Sequence, residues 1–329
     1  MTALPDNGVS VVIPCHSDER RARLVAAVES VLAQRPAPAE VVVSVDHNDS
    51  LLDFAARALP GVTVLANRYD RGVSGNRNTG VQHTTTPLVA LMDDDACAEA
   101  GWLAGLSAPF DDPSVVGTGG TIVPDWESPR PAWFPDEFLW AVGGSYPGLP
   151  DVPAPVRNVW SASMAVRREA FDAVGGFRVG FGKLGDRARP EDTDLCLRMS
   201  KATGGHWVFV PGARISHPVP TSRTTLRFFL ARCFNEGKGK IELGRLNDGR
   251  DSLGSERDYL SRTLPRAVTR GLADAARGRG LAHAARAAVV VAGAAAAGAG
   301  GVSEMLRPRR AVTLPSPAHD DVVGAGEPA

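Results

Sequence analysis

Four cysteines in 329 residues, Cys15, Cys97, Cys196 and Cys233, are too far apart for any Cys-x-x-Cys pair, which excludes a clustered-thiolate metal or redox motif. They read as buried thiols of a cytosolic protein. There is no Gly-x-Gly-x-x-Gly turn, so dinucleotide binding is not supported. No His-x₃₋₅-His and no Ser-His-Asp arrangement suggests itself, and no internal repeat is visible. No charged-then-apolar leader opens the chain; residues 1–8 lead straight into an apolar run. The uncharged stretch from Ala287 to Ser303 has 17 residues, mostly Ala, Gly and Val, and falls short of the ~20 apolar residues of a spanning helix. It reads as a surface-lying or helix-packing segment rather than a span.

What is present suits a folded protein. Hydrophobic residues make up 43% and charged residues 22%, and the length accommodates one large α/β domain plus an appendage. The net charge of -1 conceals an asymmetry. Residues 1–220 carry 19 Lys and Arg against 26 Asp and Glu, whereas residues 221–310 carry 17 against 8. A basic C-terminal part suits an anionic partner such as a membrane surface or a phosphorylated acceptor; solvated helix faces explain it equally well. Residues 311–329, rich in Pro, Ala, Asp and Gly, read as a disordered tail.

The periodicity alternates between strand and helix. Residues 9–14 (VSVVIP), 40–46 (EVVVSVD), 62–66 and 87–92 (PLVALM) are short apolar runs typical of buried strands. Between them, 20–34, 51–59 and 72–84 show helical spacing or a glycine-rich helix start. Further on, 114–123 reads as strand, turn, strand; 125–156 as a long Pro-, Trp- and Gly-rich loop; 158–166 as strand and 167–174 as helix. Helix is expected again over 191–203, strand over 206–211, and arginine-bearing helices over 221–285. Such alternation predicts a mostly parallel sheet with helices on both faces and a ligand crevice at the carboxyl ends of its strands.

Polar residues follow those strands directly. Asp93-Asp94-Asp95 comes immediately after PLVALM. Three adjacent carboxylates repel one another unless a cation is present, and an all-oxygen site suits Mg²⁺ or Mn²⁺. Arg189-Pro190-Glu191-Asp192-Thr193-Asp194 opens a helix; its acids either complement the dipole or supply a general base, for which Asp192 is the first choice and Glu191 the second. His217, just past the expected last strand, is either structural or a nitrogen ligand to the metal. The stretch from Gly72 to Gly80 (GVSGNRNTG) allows close backbone approach to a phosphate, with Arg77 available to pair with anionic oxygens.

Taken together and in this order, these segments resemble glycosyltransferase family 2, of the GT-A fold, across roughly residues 9–245. VSVVIPCHS is similar to the family's first strand, which implies nucleotide contacts near Pro14 and His16. Asp46 matches the acid after the second strand that reads the uracil or ribose side, and Arg77-Asn78 the Arg-Asn-x-Gly stretch. Asp93-Asp94-Asp95 matches the DxD motif. Residues 160–177 (WSASMAVRREAFDAVGGF) resemble the acceptor-side segment that begins with Trp160 and Ser161, and EDTDLCLR the Glu-Asp motif that carries the base. The resemblance implies an inverting, metal-assisted transfer of one sugar from a nucleoside-diphosphate sugar, UDP-sugar favoured, to an acceptor hydroxyl on a lipid-linked glycan or a small secondary metabolite. It implies nucleotide-sugar contacts from Pro14, His16, Asp46, Gly72, Arg77, Asn78, Asp93 and Asp94, and Mn²⁺ or Mg²⁺ on Asp95 and His217.

The chain departs from processive members, which carry Gln-x-x-Arg-Trp; here that region reads Arg232-Cys233-Phe234-Asn235, which disfavours polymer synthesis. Two other classes stay open. A nucleotidyltransferase wants a glycine-rich basic loop after the first strand, where this chain has CHSDERR. A non-catalytic relative should have lost one of the acids, and all are intact. The expected organisation is a GT-A catalytic domain over 1–220, a basic helical extension over 221–310 and a tail over 311–329. The expected location is cytoplasmic, peripheral on the inner face of the plasma membrane, with no nucleic-acid partner. Trp126, Trp133, Phe134, Trp140 and Tyr146 either stack on the acceptor or form a minor core.

Overall fold

In the computed structural model, which describes residues 8–184, 187–246 and 259–307, the apolar runs become parallel strands. β1 (Val9–Cys15) pairs in parallel with β2 (Glu40–Val45) and with β4 (Leu88–Met92), and β2 with β3 (Thr63–Ala66). Between them run α1 (Arg21–Leu32), α2 (Asp49–Ala58) and α3 (Val73–His83). After β5 (Cys97–Ala98) and α4 (Trp102–Ser107) come β6 (Val115–Trp126), β7 (Ala154–Val156) and β8 (Ser163–Arg167). The sheet order is β3-β2-β1-β4-β8-β6, then the strand His206–Val219, then β5. β8 runs antiparallel to both β4 and β6. β6 therefore points the same way as β4, and so does the strand parallel to it, so all their carboxyl ends share one edge.

The central strands β1, β2 and β4 are buried on both sides because both faces are covered. Val11 and Ile13 join a core with Leu24, Val28 and Leu51 of α1 and α2 and Trp102 of α4. Val12 and Val42 face the other way, toward Val81 of α3 and toward α5 (Arg168–Ala173) and the helix at 191–203, through Phe171, Leu195 and Met199.

Two expectations are corrected. Residues 114–123 are not strand-turn-strand but lie almost wholly in the twelve-residue β6. Its glycines serve close packing: a Cβ on Gly117 would lie 2.2 Å from the Trp207 ring, and one on Gly120 would lie 2.2 Å from the Ala213 carbonyl oxygen. After the short pair β9 (Lys183–Leu184) and β10 (Arg187–Ala188) and helix α6 (Glu191–Thr203), the last strand, β11 (His206–Val219), does not stop at Pro211. It absorbs Pro211-Gly212 in an irregularity between Val210 and Arg214 and continues, so His217 lies within the strand, opposite Pro124.

Among the described residues three α-helices follow: α7 (Leu226–Leu246), α8 (Leu264–Ala276) and α9 (Leu281–Met305). They attach through a third core, in which Phe134, Phe138 and Val142 of the long loop meet Phe229, Cys233, Leu264 and Val290. Phe229 sits edge-on to Phe134 at 5.6 Å and Phe138 lies 5.2 Å from it. Of the loop aromatics, Trp126, Trp133, Phe134 and Trp140 all belong to this minor core. α9 is longer than the uncharged run within it. At 25 residues with a mean hydropathy of 1.5 over its apolar window, it is long and apolar enough to cross a membrane, and only 28% of that window is buried. The tail at 311–329 lies outside the described residues.

Candidate active site

The strand ends deliver their polar residues to one edge, at the point where the sheet order turns back on itself. Asp46, 8% exposed, follows β2; its Oδ2 accepts the Gly72 backbone N–H at 2.9 Å and its Oδ1 accepts Asn67 Nδ2 at 2.7 Å. This pairing ties the start of α3 to the end of β2. α3 is buried from Ser74 to Val81, and it aims Arg77 into the crevice.

Arg77, 4% exposed, is the junction. Its Nη2 donates to Asp93 Oδ1 at 3.1 Å and its Nη1 to Glu191 Oε1 at 3.2 Å, and Nη1 stands 3.7 Å from Asp192 Oδ1. The Phe177 ring supports the guanidinium 5.4 Å away. Burial alone would ease its proton off, but Asp93, Asp192 and Glu191 outweigh it and raise its pKa. Burial likewise works to raise the Asp93 carboxyl, yet Arg77, His217 and Arg20 hold it below the usual range. Glu191 is pushed the other way, to about 7, by burial and by the neighbouring Asp192. Asp192 is also raised by burial, with Arg77 opposing.

Pro190, at the N-cap of α6, offers no side-chain cap, and Glu191 accepts a backbone N–H of its own as well as Arg77. The other two acids have further partners. Ser161, 1% exposed, gives its hydroxyl and backbone N–H to Asp192, whose Oδ1 has no hydrogen bond among the described residues. Asp194, fully buried, is held by Arg178 Nε at 3.0 and 2.9 Å and by Arg198 Nε at 2.8 Å. Arg198 also donates to the carbonyls of Val174 and Gly176, so Asp194 braces the 174–181 segment under Arg77.

The acidic run after β4 divides its labour. Asp93, Asp95 and His217 each offer a ligand atom, all within 4.8 Å of one another. Ligands about 2.1 Å from a shared ion lie up to about 4.2 Å apart, so a small inward shift closes the set. Among the described residues Asp95 Oδ1 and His217 Nδ1 are buried without a hydrogen bond, although Asp95 Oδ1 stands 3.4 Å from His217 Nε2, and two carboxylates with an imidazole form a donor set that fits a divalent ion. Asp94 turns away: its Oδ1 accepts Arg20 Nη1 at 2.6 Å, and Arg20 also lies 3.1 Å from Asp95 Oδ2. Burial pushes Asp94 up to about 7 against the pull of Arg20.

Not every expected residue faces the crevice. Pro14 is buried within β1 opposite Ser44, where it offers a nucleotide no surface. Asn78 spends its amide on the backbone of Phe177, donating to the carbonyl at 2.8 Å and accepting the N–H at 2.9 Å, so it braces rather than binds. His16 is exposed beyond β1. Trp160 packs edge-on to Tyr146 at 6.0 Å, while its neighbour Ser161 faces Asp192 rather than open space. Sequence reasoning passed over Arg20, although a basic residue soon after the first strand was a visible signal. It also passed over Arg223, in the turn after β11, where burial lowers the guanidinium pKa and Asp95 opposes the shift.

Comparison with known proteins agrees with this geometry. The family described as Glycosyl transferase family 2 matches residues 10–175. Over 237 residues the chain is 34% identical to the glucosyl-dolichyl phosphate glucuronosyltransferase of Haloferax volcanii, covering 70% of this chain and 76% of that one. This protein belongs to glycosyltransferase family 2. It is also 26% identical to the succinoglycan biosynthesis protein ExoM of Rhizobium meliloti, over 67% of this chain and 70% of the relative. The solved mannosyltransferase PcManGT from Pyrobaculum calidifontis, in complex with GDP-Man and Mn²⁺, shares the fold with a TM-score of 0.57 at 18% identity, over 92% of this chain and 89% of that one. The family 2 member is thus a glycosyltransferase with a GT-A-like, mostly parallel sheet, which removes the nucleotidyltransferase and non-catalytic alternatives.

Proposed function

We propose that this family 2 enzyme transfers a single sugar, with inversion, from a nucleoside-diphosphate sugar to the hydroxyl of a lipid-linked acceptor. The observation that carries the reading is the carboxylate of Asp192. It is oriented by Ser161, has one oxygen, Oδ1, that makes no hydrogen bond among the described residues, and is joined by the charge of Arg77, 3.7 Å from that oxygen, to Asp93. An acceptor hydroxyl attacking the anomeric carbon gives up its proton, and a buried carboxylate with a raised pKa and an oxygen that makes no hydrogen bond among the described residues is suited to accept it. Glu191, held by Arg77, supports that geometry. The nucleoside lies toward Asp46 and the diphosphate toward Arg20 and Arg223, whose charges oppose the negative charge that builds up on the leaving group. Asp93, Asp95 and His217 would hold Mn²⁺ or Mg²⁺, which supplies further positive charge there. A UDP-sugar is the favoured donor.

Residues 1–220 serve as the catalytic domain in this reading, and 221–310 as the acceptor side. The protein works in the cytoplasm, peripheral on the inner membrane face, with the exposed side of α9 and the basic charge of this part directed at anionic lipid. The lipid-linked substrate in the name of the Haloferax relative supports that choice.

A thermal-shift series with UDP, GDP and ADP, each with and without Mn²⁺, tests the donor site. One diphosphate should stabilise the protein only with metal, and Asp95→Ala should abolish that shift. No response to any diphosphate would defeat the reading. Asp192→Asn should keep the shift and lower the transfer rate by ~10²–10⁴; undiminished transfer would place the base elsewhere.

A further inference from the structure

The loop beside His217 leads to a second polar surface. A Cβ on Gly143 would lie 3.5 Å from His217 Cε1. Three residues on, Tyr146 packs against Trp160 on the site side and against Tyr259, at 5.5 Å, on the other. Pro147 and Gly148 then form one wall of an open groove of about 620 Å³. The opposite wall is a single face of α8 with the residue before it, bearing Thr263, Arg266, Thr269 and Arg270. From Gly143 to Gly148 the chain covers at most about 18 Å even if fully extended. The groove and the proposed metal ligands are therefore within reach of one elongated molecule.

Its charge is unbalanced. Among the described residues Glu137, 5% exposed, is the one acid lining it, and its Oε1 accepts Arg270 Nη2 at 2.7 Å. Arg266, one helical turn earlier, has no ion pair or side-chain hydrogen bond among the described residues. An arginine fork free on a groove wall, with a second guanidinium and the Thr263 hydroxyl on the same wall, matches the oxygens of a phosphate; the Thr269 hydroxyl is donated to the Arg266 carbonyl at 3.1 Å. The opposite side of α8 packs on α9, where a Cβ on Gly271 would lie 2.8 Å from the His283 carbonyl oxygen. Along α9, Val291 and Val302 are each 56% exposed and Met305 is 60% exposed. One helix pair thus offers a cationic groove and an open apolar face.

We infer that this groove seats the phosphate of the acceptor, and that the acceptor is an amphiphile whose sugar or hydroxyl is joined through phosphate to an apolar chain. The inference rests on the proposed transfer to a lipid-linked hydroxyl and adds the phosphate and its seat. The sugar end reaches toward Asp192 past Trp160 and Tyr146, the phosphate lies on Arg266 and Arg270, and the chain leaves along the apolar helices.

Titration calorimetry on the full-length protein with farnesyl phosphate, farnesol and inorganic phosphate separates the contributions. Farnesyl phosphate should bind at least about tenfold more tightly than either of the others. Arg266→Gln should remove about tenfold of that affinity, the scale of a charged hydrogen bond. Arg266→Lys should restore part of it. Both variants should keep the wild-type melting temperature and the metal-dependent diphosphate shift. Equal affinity for farnesyl phosphate and farnesol, equal affinity for inorganic phosphate, or an unchanged Arg266→Gln each overturns the inference. If diphosphate and Mn²⁺ still bind while farnesyl phosphate does not, the groove alone is wrong. If neither binds, the proposed donor site is wrong as well.

Discussion

The crevice and the C-terminal helices are built on opposite principles. In the crevice, ionisable side chains are packed tightly away from water around arginine partners: Arg77 among Asp93, Glu191 and Asp192, and Asp194 between Arg178 and Arg198. In the helices, close packing comes from the near absence of side chains. A Cβ on Gly237 of α7 would lie 1.9 Å from the Ala297 carbonyl oxygen of α9, and one on Gly300 would lie 1.9 Å from that of Phe234. Backbones that touch in this way hold α9 against α7 without covering its other side. The first region is fixed by charge and pre-organised for chemistry. The second is fixed by shape and leaves an apolar surface open.

Breaking each region should therefore look different. The largest effect is expected from Arg77→Leu, which removes the shared partner of three carboxylates; loss of one member of a buried ion pair costs about 3–5 kcal/mol. Chemical denaturation should show it, and Mn²⁺ with a nucleoside diphosphate should recover only part of it. A loss under about 1 kcal/mol would mean that solvent already screens the cluster.

Gly237→Val comes next. Overpacking costs about 1–3 kcal/mol, and this contact is against backbone, which cannot move aside as a side chain can. The expected outcome is faster amide exchange in α7 and α9, with the sheet strands unaffected. If exchange rises throughout the chain instead, the helices and the sheet unfold as one unit.

The smallest effect on folding should come from Val302→Glu, on the open side of α9. The melting temperature should stay within a degree or so, while affinity for phosphatidylglycerol vesicles falls about tenfold, the scale of an apolar side chain withdrawn from lipid. Wild-type binding should itself weaken as salt rises. Unchanged vesicle binding by the variant would turn this face of α9 away from the bilayer.

Much of the site was legible because its residues sit at strand ends, and strand ends can be read from local periodicity. Asp46 and Asp93–Asp95 follow directly on recognisable strands, and Glu191 and Asp192 open a recognisable helix. The misreadings have a common cause. Gly117, Gly119 and Gly120 look like a turn because sequence shows the missing side chain but not the neighbour that needs its space, and Pro211-Gly212 looks like a strand end because the pairing with β6 that carries β11 past it comes from residues about 90 positions away. Asn78 looks like a ligand contact for the same reason: its partner, the backbone of Phe177, is 99 residues away.

The sequence by itself determined the alternation of strand and helix, the family, the acidic run and the charge difference between the two parts of the chain. These rest on composition and short-range spacing, which need no knowledge of distant neighbours. Only the tertiary structure decided that Asp94 turns to Arg20 while Asp93 joins Asp95 and His217, that Ser161 orients Asp192, and that Trp126, Trp133, Phe134 and Trp140 join α7 while Tyr146 packs on Trp160 and Tyr259. Adjacent residues on a chain turn in different directions, and which of three neighbouring carboxylates meets which partner is settled by packing over distances that sequence spacing does not encode.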